Sequence, residues 1–158
     1  LRNKEGNMDY LAELDRLIEG PVYVIDYLPG PVPASRGRHY WKVEKWFSSQ
    51  REYKRLYRKF LRFLLKLSCY CEFTVSCGPK WEESPSPKRL ERLVEKCPGS
   101  RKDYLNILID QGRAMVILNG DDLYLSIYNP DLRLRQLLGQ LAASEGLFLW
   151  KPQPNPEA

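Results

Sequence analysis

The stretch Tyr104–Tyr128, "YLNILIDQGRAMVILNGDDLYLSIY", decides the fold class. Two apolar runs, Tyr104–Ile109 and Ala114–Leu118, are split by Gln111-Gly112 and read as strands. "NGDD" (Asn119–Asp122) supplies the Asn, Gly and Asp residues that a tight turn needs, and it leads into "LYLSIY", which alternates between two faces. Three consecutive strands flanked by helical sequence predict an α+β two-layer sandwich. Its mixed sheet is expected to hold about five to six strands, with helices packed on it.

Outward from this block, Pro87 sits at a first helical position and Lys88–Lys96 reads as a short helix stopped by Cys97-Pro98-Gly99. Asn129-Pro130 is expected to cap a helix over 130–144, with Leu134, Leu137, Leu138, Leu141 and Ala142 along one side. Glu145-Gly146 ends it, and "LFLW" makes a last strand. Upstream, Asp9–Glu19 reads as a helix stopped by Gly20-Pro21, and Val22–Tyr27 as a strand. Pro29, Gly30, Pro31 and Pro33 then force an extended or turn-rich loop. Residues 8–151 are read as one domain. Leu1–Asn7 is taken as a polar extension, with Met8 as the natural start, and 152–158 as a disordered, proline-rich tail.

The cleanest helical pattern lies at 49–67, capped by Ser48 or Ser49. Tyr53, Leu56, Tyr57, Phe60, Leu61, Leu64 and Leu67 form its apolar stripe. Arg51, Lys54, Arg55, Arg58, Lys59, Arg62 and Lys66 occupy a sector of roughly 140° on the other side. Cys69–Val75, "CYCEFTV", reads as a strand directly after it. Charge is concentrated in this region. Arg36–Lys66 holds eleven Lys/Arg against two Glu, a net +9, which leaves −4 for the rest of a chain whose net charge is +5. A face with almost no interleaved acid departs from the mixed signs of an ordinary surface helix. It can neutralise phosphates or carboxylates, with Trp41 or Trp46 nearby as an apolar anchor and Arg36, Arg38 and Lys42 extending the field. The aromatics Tyr53, Tyr57 and Phe60 lie on the apolar side and belong to the core.

A second constellation is catalytic in type. Asp26 ends an apolar strand, where open sheets often place a functional carboxylate. His39 is the sole histidine, so imidazole acid–base chemistry would have to use it. Arg36 and Arg38 could grip an anion. Together they would suit a small hydrolase or transferase, although no G-x-S-x-G elbow accompanies them. P-loop and dinucleotide fingerprints are absent, so ATP-driven and nicotinamide chemistry by those routes is not expected. Cysteines 69, 71, 77 and 97 have the spacing C-x-C-x5-C-x19-C, with no C-x2-C zinc knuckle. Asp121-Asp122 is read as turn chemistry ahead of a divalent-cation site, and Glu82, Glu83 and Glu91 as solvated. No metal and no cofactor is expected.

No apolar run approaches the roughly 18 residues that a membrane span needs, since Arg62 and Lys66 interrupt Phe60–Tyr70. Without a secretory signal the thiols are expected to be reduced and the protein cytoplasmic. Three segments, "VYVIDYLPGPVP", "FLLKLSCYCEFTV" and "SIYNPD…LAASEGLFLWK", resemble a group of small uncharacterised proteins from clostridial-type bacteria over about Pro21–Lys151. The resemblance implies a small bacterial, cytosolic protein and assigns no functional residue. The expected function is a non-enzymatic binding or regulatory module whose basic helix face (51–66) meets an acidic protein surface or nucleic acid. The alternative is the Asp26–His39 enzyme. A homodimer through an uncovered apolar sheet face is also expected to be available, with "LFLW" as its natural seat.

Overall fold

The computed structural model describes residues 9–96 and 104–153. Cys97, the 1–7 extension and residues 154–158 of the expected tail lie outside the described residues. Among the described residues, seven strands form one sheet: β1 (Val22–Asp26), β2 (Phe73–Cys77), β3 (Trp81–Glu83), β4 (Tyr104–Ile109), β5 (Ala114–Asn119), β6 (Tyr124–Tyr128) and β7 (Phe148–Trp150), in the order β3-β2-β4-β5-β6-β1-β7. Among the same residues, five α-helices accompany them: α1 (Tyr10–Ile18), α2 (Gly37–Phe47), α3 (Gln50–Leu67), α4 (Pro87–Lys96) and α5 (Leu132–Ser144).

The α+β class holds, but the sheet is not mixed. Every neighbouring pair is antiparallel. The helical connections change the strand's place in the sheet without setting two parallel strands side by side: α2 and α3 carry the chain from β1 to β2, which lies beyond β6, β5 and β4. The seventh strand, β3, is three residues long and pairs with Thr74, Val75 and Ser76 at one edge. It was hidden in the proline-rich stretch after Gly78.

Side-chain alternation gives the sheet two unlike faces. Inward residues Ile25, Val75, Ile107, Val116, Leu125 and Ile127 join Leu56, Phe60, Phe63 and Leu64 of α3, Leu90 and Val94 of α4 and Leu138 of α5 in the main core. The expected stripe on α3 is its buried side, with Phe63 added. On the opposite face α1 sets Leu17 against Leu108 and Met115, with Trp81, Ile117 and Tyr128 around them. Asp9 caps α1 through Ala12 N (3.1 Å). Arg16 fastens this helix to the β4–β5 turn by donating to the Gly112 carbonyl at 2.8 Å. Gly112 is needed there, because its φ is +100° and a Cβ would come within 2.7 Å of Glu13 Oε2.

Two local expectations are corrected. Cys69–Cys71 are not strand. The amides of Cys69, Tyr70 and Cys71 fold back onto the Lys66 and Leu67 carbonyls and close the end of α3, so pairing starts at Phe73. The cap of α5 is Asp131, whose carboxylate accepts from Leu134 N at 2.8 Å. Asn129 instead takes a left-handed conformation (φ 59°) and donates its backbone N–H to the Pro21 carbonyl.

Candidate functional site

The chain after the proline loop is helical where sequence reading saw only a connection. Ala34–Arg36 makes one 3-10 turn that runs directly into α2. Tyr40, Val43, Glu44 and Phe47 recur at i, i+3, i+4 and i+7 and are the part-buried side, with the Phe47 ring tilted against Tyr27 at 4.5 Å. At 100° per residue, Arg38, Lys42 and Lys45 fall within roughly 60° of one another on the other side, and Trp41 and Trp46 lie about 40° beyond them on either flank. Both indoles stand in solvent, 56% and 58% exposed. Lys45 Nζ sits 3.7 Å over the Trp41 ring. Among the described residues, Arg36, Arg38, Lys42 and Lys45 make no ion pair.

The α3 face is different. Arg55 pairs with Glu52 (3.4 Å), Arg58 with Glu91 of α4 (3.5 Å), and Arg62 and Lys66 both with Glu145 (3.0 and 2.6 Å). Lys66 also donates to Ser144 Oγ at 2.9 Å. Glu52 belongs to α3 itself, whereas the counter-charges for Arg58, Arg62 and Lys66 arrive from α4 and from the residue that ends α5. Arg51, Lys54 and Lys59 remain without an ion pair among the described residues, and the first two lie in the turns of α3 that follow α2. Burial works against the Glu145 carboxylate, but Lys66 and Arg62 outweigh it and hold its pKa below the ordinary glutamate range. With a depressed folded pKa, this contribution is present above the unfolded value and disappears as pH falls through the folded one. Glu145→Gln is expected to cost about 1 kcal/mol at neutral pH, because both cations are partly screened by solvent. It should also remove that part of the acid sensitivity. Urea denaturation at neutral and acidic pH checks both.

The expected aromatic core residues behave as such. Tyr57 Oη shares its proton between the Asn119 and Asp122 carbonyls, each at 2.8 Å, and Tyr53 Oη donates to the Gly120 carbonyl. These bonds fix the "NGDD" turn from beneath, and the Asn119 side chain accepts from Asp121 N at 3.2 Å. Among the described residues, no group of three or more His, Cys, Asp or Glu is arranged to hold a metal ion. Cys69, Cys71 and Cys77 are free thiols, and burial, then Asp110, pushes the Cys71 pKa up, away from thiolate chemistry.

Asp26 and His39 are not joined by a hydrogen bond. Asp26 is only 9% exposed, at the end of β1, with Leu28 N donating to its carboxylate at 3.4 Å. Burial raises its pKa, the amides of Leu28 and Tyr27 and the Trp150 indole oppose that, and the Glu44 charge adds to it. No cation is among these influences. His39, Arg36 and Arg38 are exposed around the start of α2.

Among the described residues, no helix is long and apolar enough to cross a membrane. No protein-family model, curated protein or solved structure matches the chain, so no residue role comes to it from a relative. The site stands on its own geometry. The sequence singles out Arg36, Arg38, Trp41, Lys42 and Trp46 around this helix and passes over Lys45, which is placed over Trp41 by its i+4 spacing.

Proposed function

We propose that this protein is a non-enzymatic binding module that docks the outer side of α2 on an acidic surface of a partner protein. One observation carries the reading: three cations without ion pairs lie between two exposed tryptophans on a single short helix. Tryptophan and arginine are the residues that most often anchor protein interfaces. Here the cations would meet carboxylates while the two indoles exclude water at the margins. Arg36, Arg51 and Lys54 extend the same field. The apolar side of α2 is turned toward its own protein, so the helix has no free apolar face to lay into a lipid interface. A convex helix with Lys45 over one indole also suits base stacking less well than an open platform would.

Fluorescence anisotropy tests the reading with two labelled probes of equal charge, a Glu/Asp/Leu peptide and a single-stranded RNA. The expected result is peptide binding that weakens with salt and RNA binding at least about tenfold weaker. Equal or tighter RNA binding, falling steeply with salt, would transfer the surface to nucleic acid.

A further inference from the structure

α1 lies over β4 and β5, and the side chains of β6, β1 and β7 beyond it form a second surface. The strand register puts Asp26 between two aromatic residues, opposite Tyr124 on one side and Phe148 on the other. Both rings are partly in solvent, 37% and 44% exposed. Cross-strand neighbours on one face have Cβ atoms about 5 Å apart, so the three side chains form one row. The next row holds Ser126, Val24 and Trp150. Trp150 Nε1 is buried without a hydrogen-bond partner, although the indole is near enough to Asp26 to favour its ionised form.

The charge of this region is opposite to that of the chain. Glu44 acts on both Asp26 and Asp122, and Asp122 and Asp26 both act on Tyr124. Among the described residues none of these three carboxylates forms an ion pair. Anionic lipid and nucleic acid are excluded by sign. A carboxylate flanked by aromatic faces has the chemistry that recognises a guanidinium or ammonium group, through charge-assisted hydrogen bonds and cation–π contacts.

We infer that the outer face of β6, β1 and β7 is a docking face for a basic segment of another protein, with an arginine or lysine side chain entering between the exposed rings of Tyr124 and Phe148 toward the buried Asp26 carboxylate. The inference is independent of the role given to α2, because it uses other residues and the opposite charge. Its occupant is chosen by charge complementarity.

The test is anisotropy with a labelled Arg/Lys-rich peptide and a counterpart in which every Arg and Lys is Gln, read on wild type, Asp26→Asn and Phe148→Ala. Sedimentation velocity of the unliganded wild type accompanies it. The expected result is a monomer that binds the basic peptide and not the Gln peptide, with each variant weakening binding about tenfold or more. Phe148→Ala removes a half-exposed edge ring and keeps the Asp26 carboxylate, so it tests the aromatic side of the face separately from the charge. The inference is overturned if wild type does not bind the basic peptide, or if both variants bind it as tightly as wild type. It is also overturned if wild type sediments as a dimer that Asp26→Asn dissociates, because the occupant is then a second copy of this chain.

Discussion

Phe60→Ala is expected to lower the free energy of unfolding by about 3–5 kcal/mol, measured by urea denaturation. Phe60 is fully buried on α3, edge-on to Tyr57 at 5.4 Å, inside the cluster that joins α3, α4 and α5 to the inner face of the sheet. Alanine would remove the whole ring from a site walled by helix on one side and strands on the other. Neither wall can close the space without breaking ladder or helix hydrogen bonds, so the cavity term adds to the lost transfer energy. The same substitution also releases Tyr57, whose hydroxyl holds the β5–β6 turn. A loss below about 1 kcal/mol would mean that α3 is not the central support of the sheet.

The second large effect concerns binding. Replacing both Trp41 and Trp46 by alanine is expected to weaken binding of the acidic peptide by about a hundredfold or more, since interface tryptophans each contribute on the order of 2 kcal/mol. Stability should change by no more than about 0.5 kcal/mol, because both indoles stand mostly in solvent in the free protein. Trp46 does lie edge-on to Phe47 at 5.0 Å, and Lys45 covers Trp41, so a small loss of helix rigidity is included in that figure. Anisotropy and urea denaturation on the same preparation separate the two quantities. An unchanged affinity would remove the indoles from the interface.

Those two residue sets mark what was legible before the structure. The stripe that contains Phe60 follows a 3.6-residue period for about four turns, and no other element gives that pattern over such a length. The β4–β5–β6 block was equally legible, because Gln111-Gly112 and Asn119-Gly120 punctuate alternating or apolar runs. α2 was missed although Tyr40, Val43, Glu44 and Phe47 carry helical spacing. Three prolines immediately before it and a charged residue within the stripe hid a helix of three turns. β3 has too few residues to show a period. The antiparallel sheet could not be read locally either, because strand order depends on where each helix returns the chain.

The candidate site was legible in composition and not in arrangement. The concentration of cations over 36–66 is plain in the sequence, whereas the acids that pair with Arg58, Arg62 and Lys66 lie 33, 83 and 79 residues away. Glu91 and Glu145 look like ordinary surface acids in the sequence. Only the packing of α4 and α5 beside α3 makes them counter-ions. The same holds for Asp26: its place at a strand end was readable, whereas the rings on either side of it are contributed by β6 and β7.

The proposed division of labour is that α2 binds and the last turns of α3 hold the fold. It is tested most directly by comparing Arg38→Gln/Lys42→Gln/Lys45→Gln with Arg58→Gln/Arg62→Gln/Lys66→Gln, measuring acidic-peptide affinity and urea stability for each. The α2 set is expected to lose about tenfold or more in affinity with stability within about 0.5 kcal/mol of wild type. The α3 set is expected to lose about 1–2 kcal/mol of stability and to keep most of its affinity. Loss of affinity confined to the α3 set, with the α2 set binding like wild type, would contradict that division.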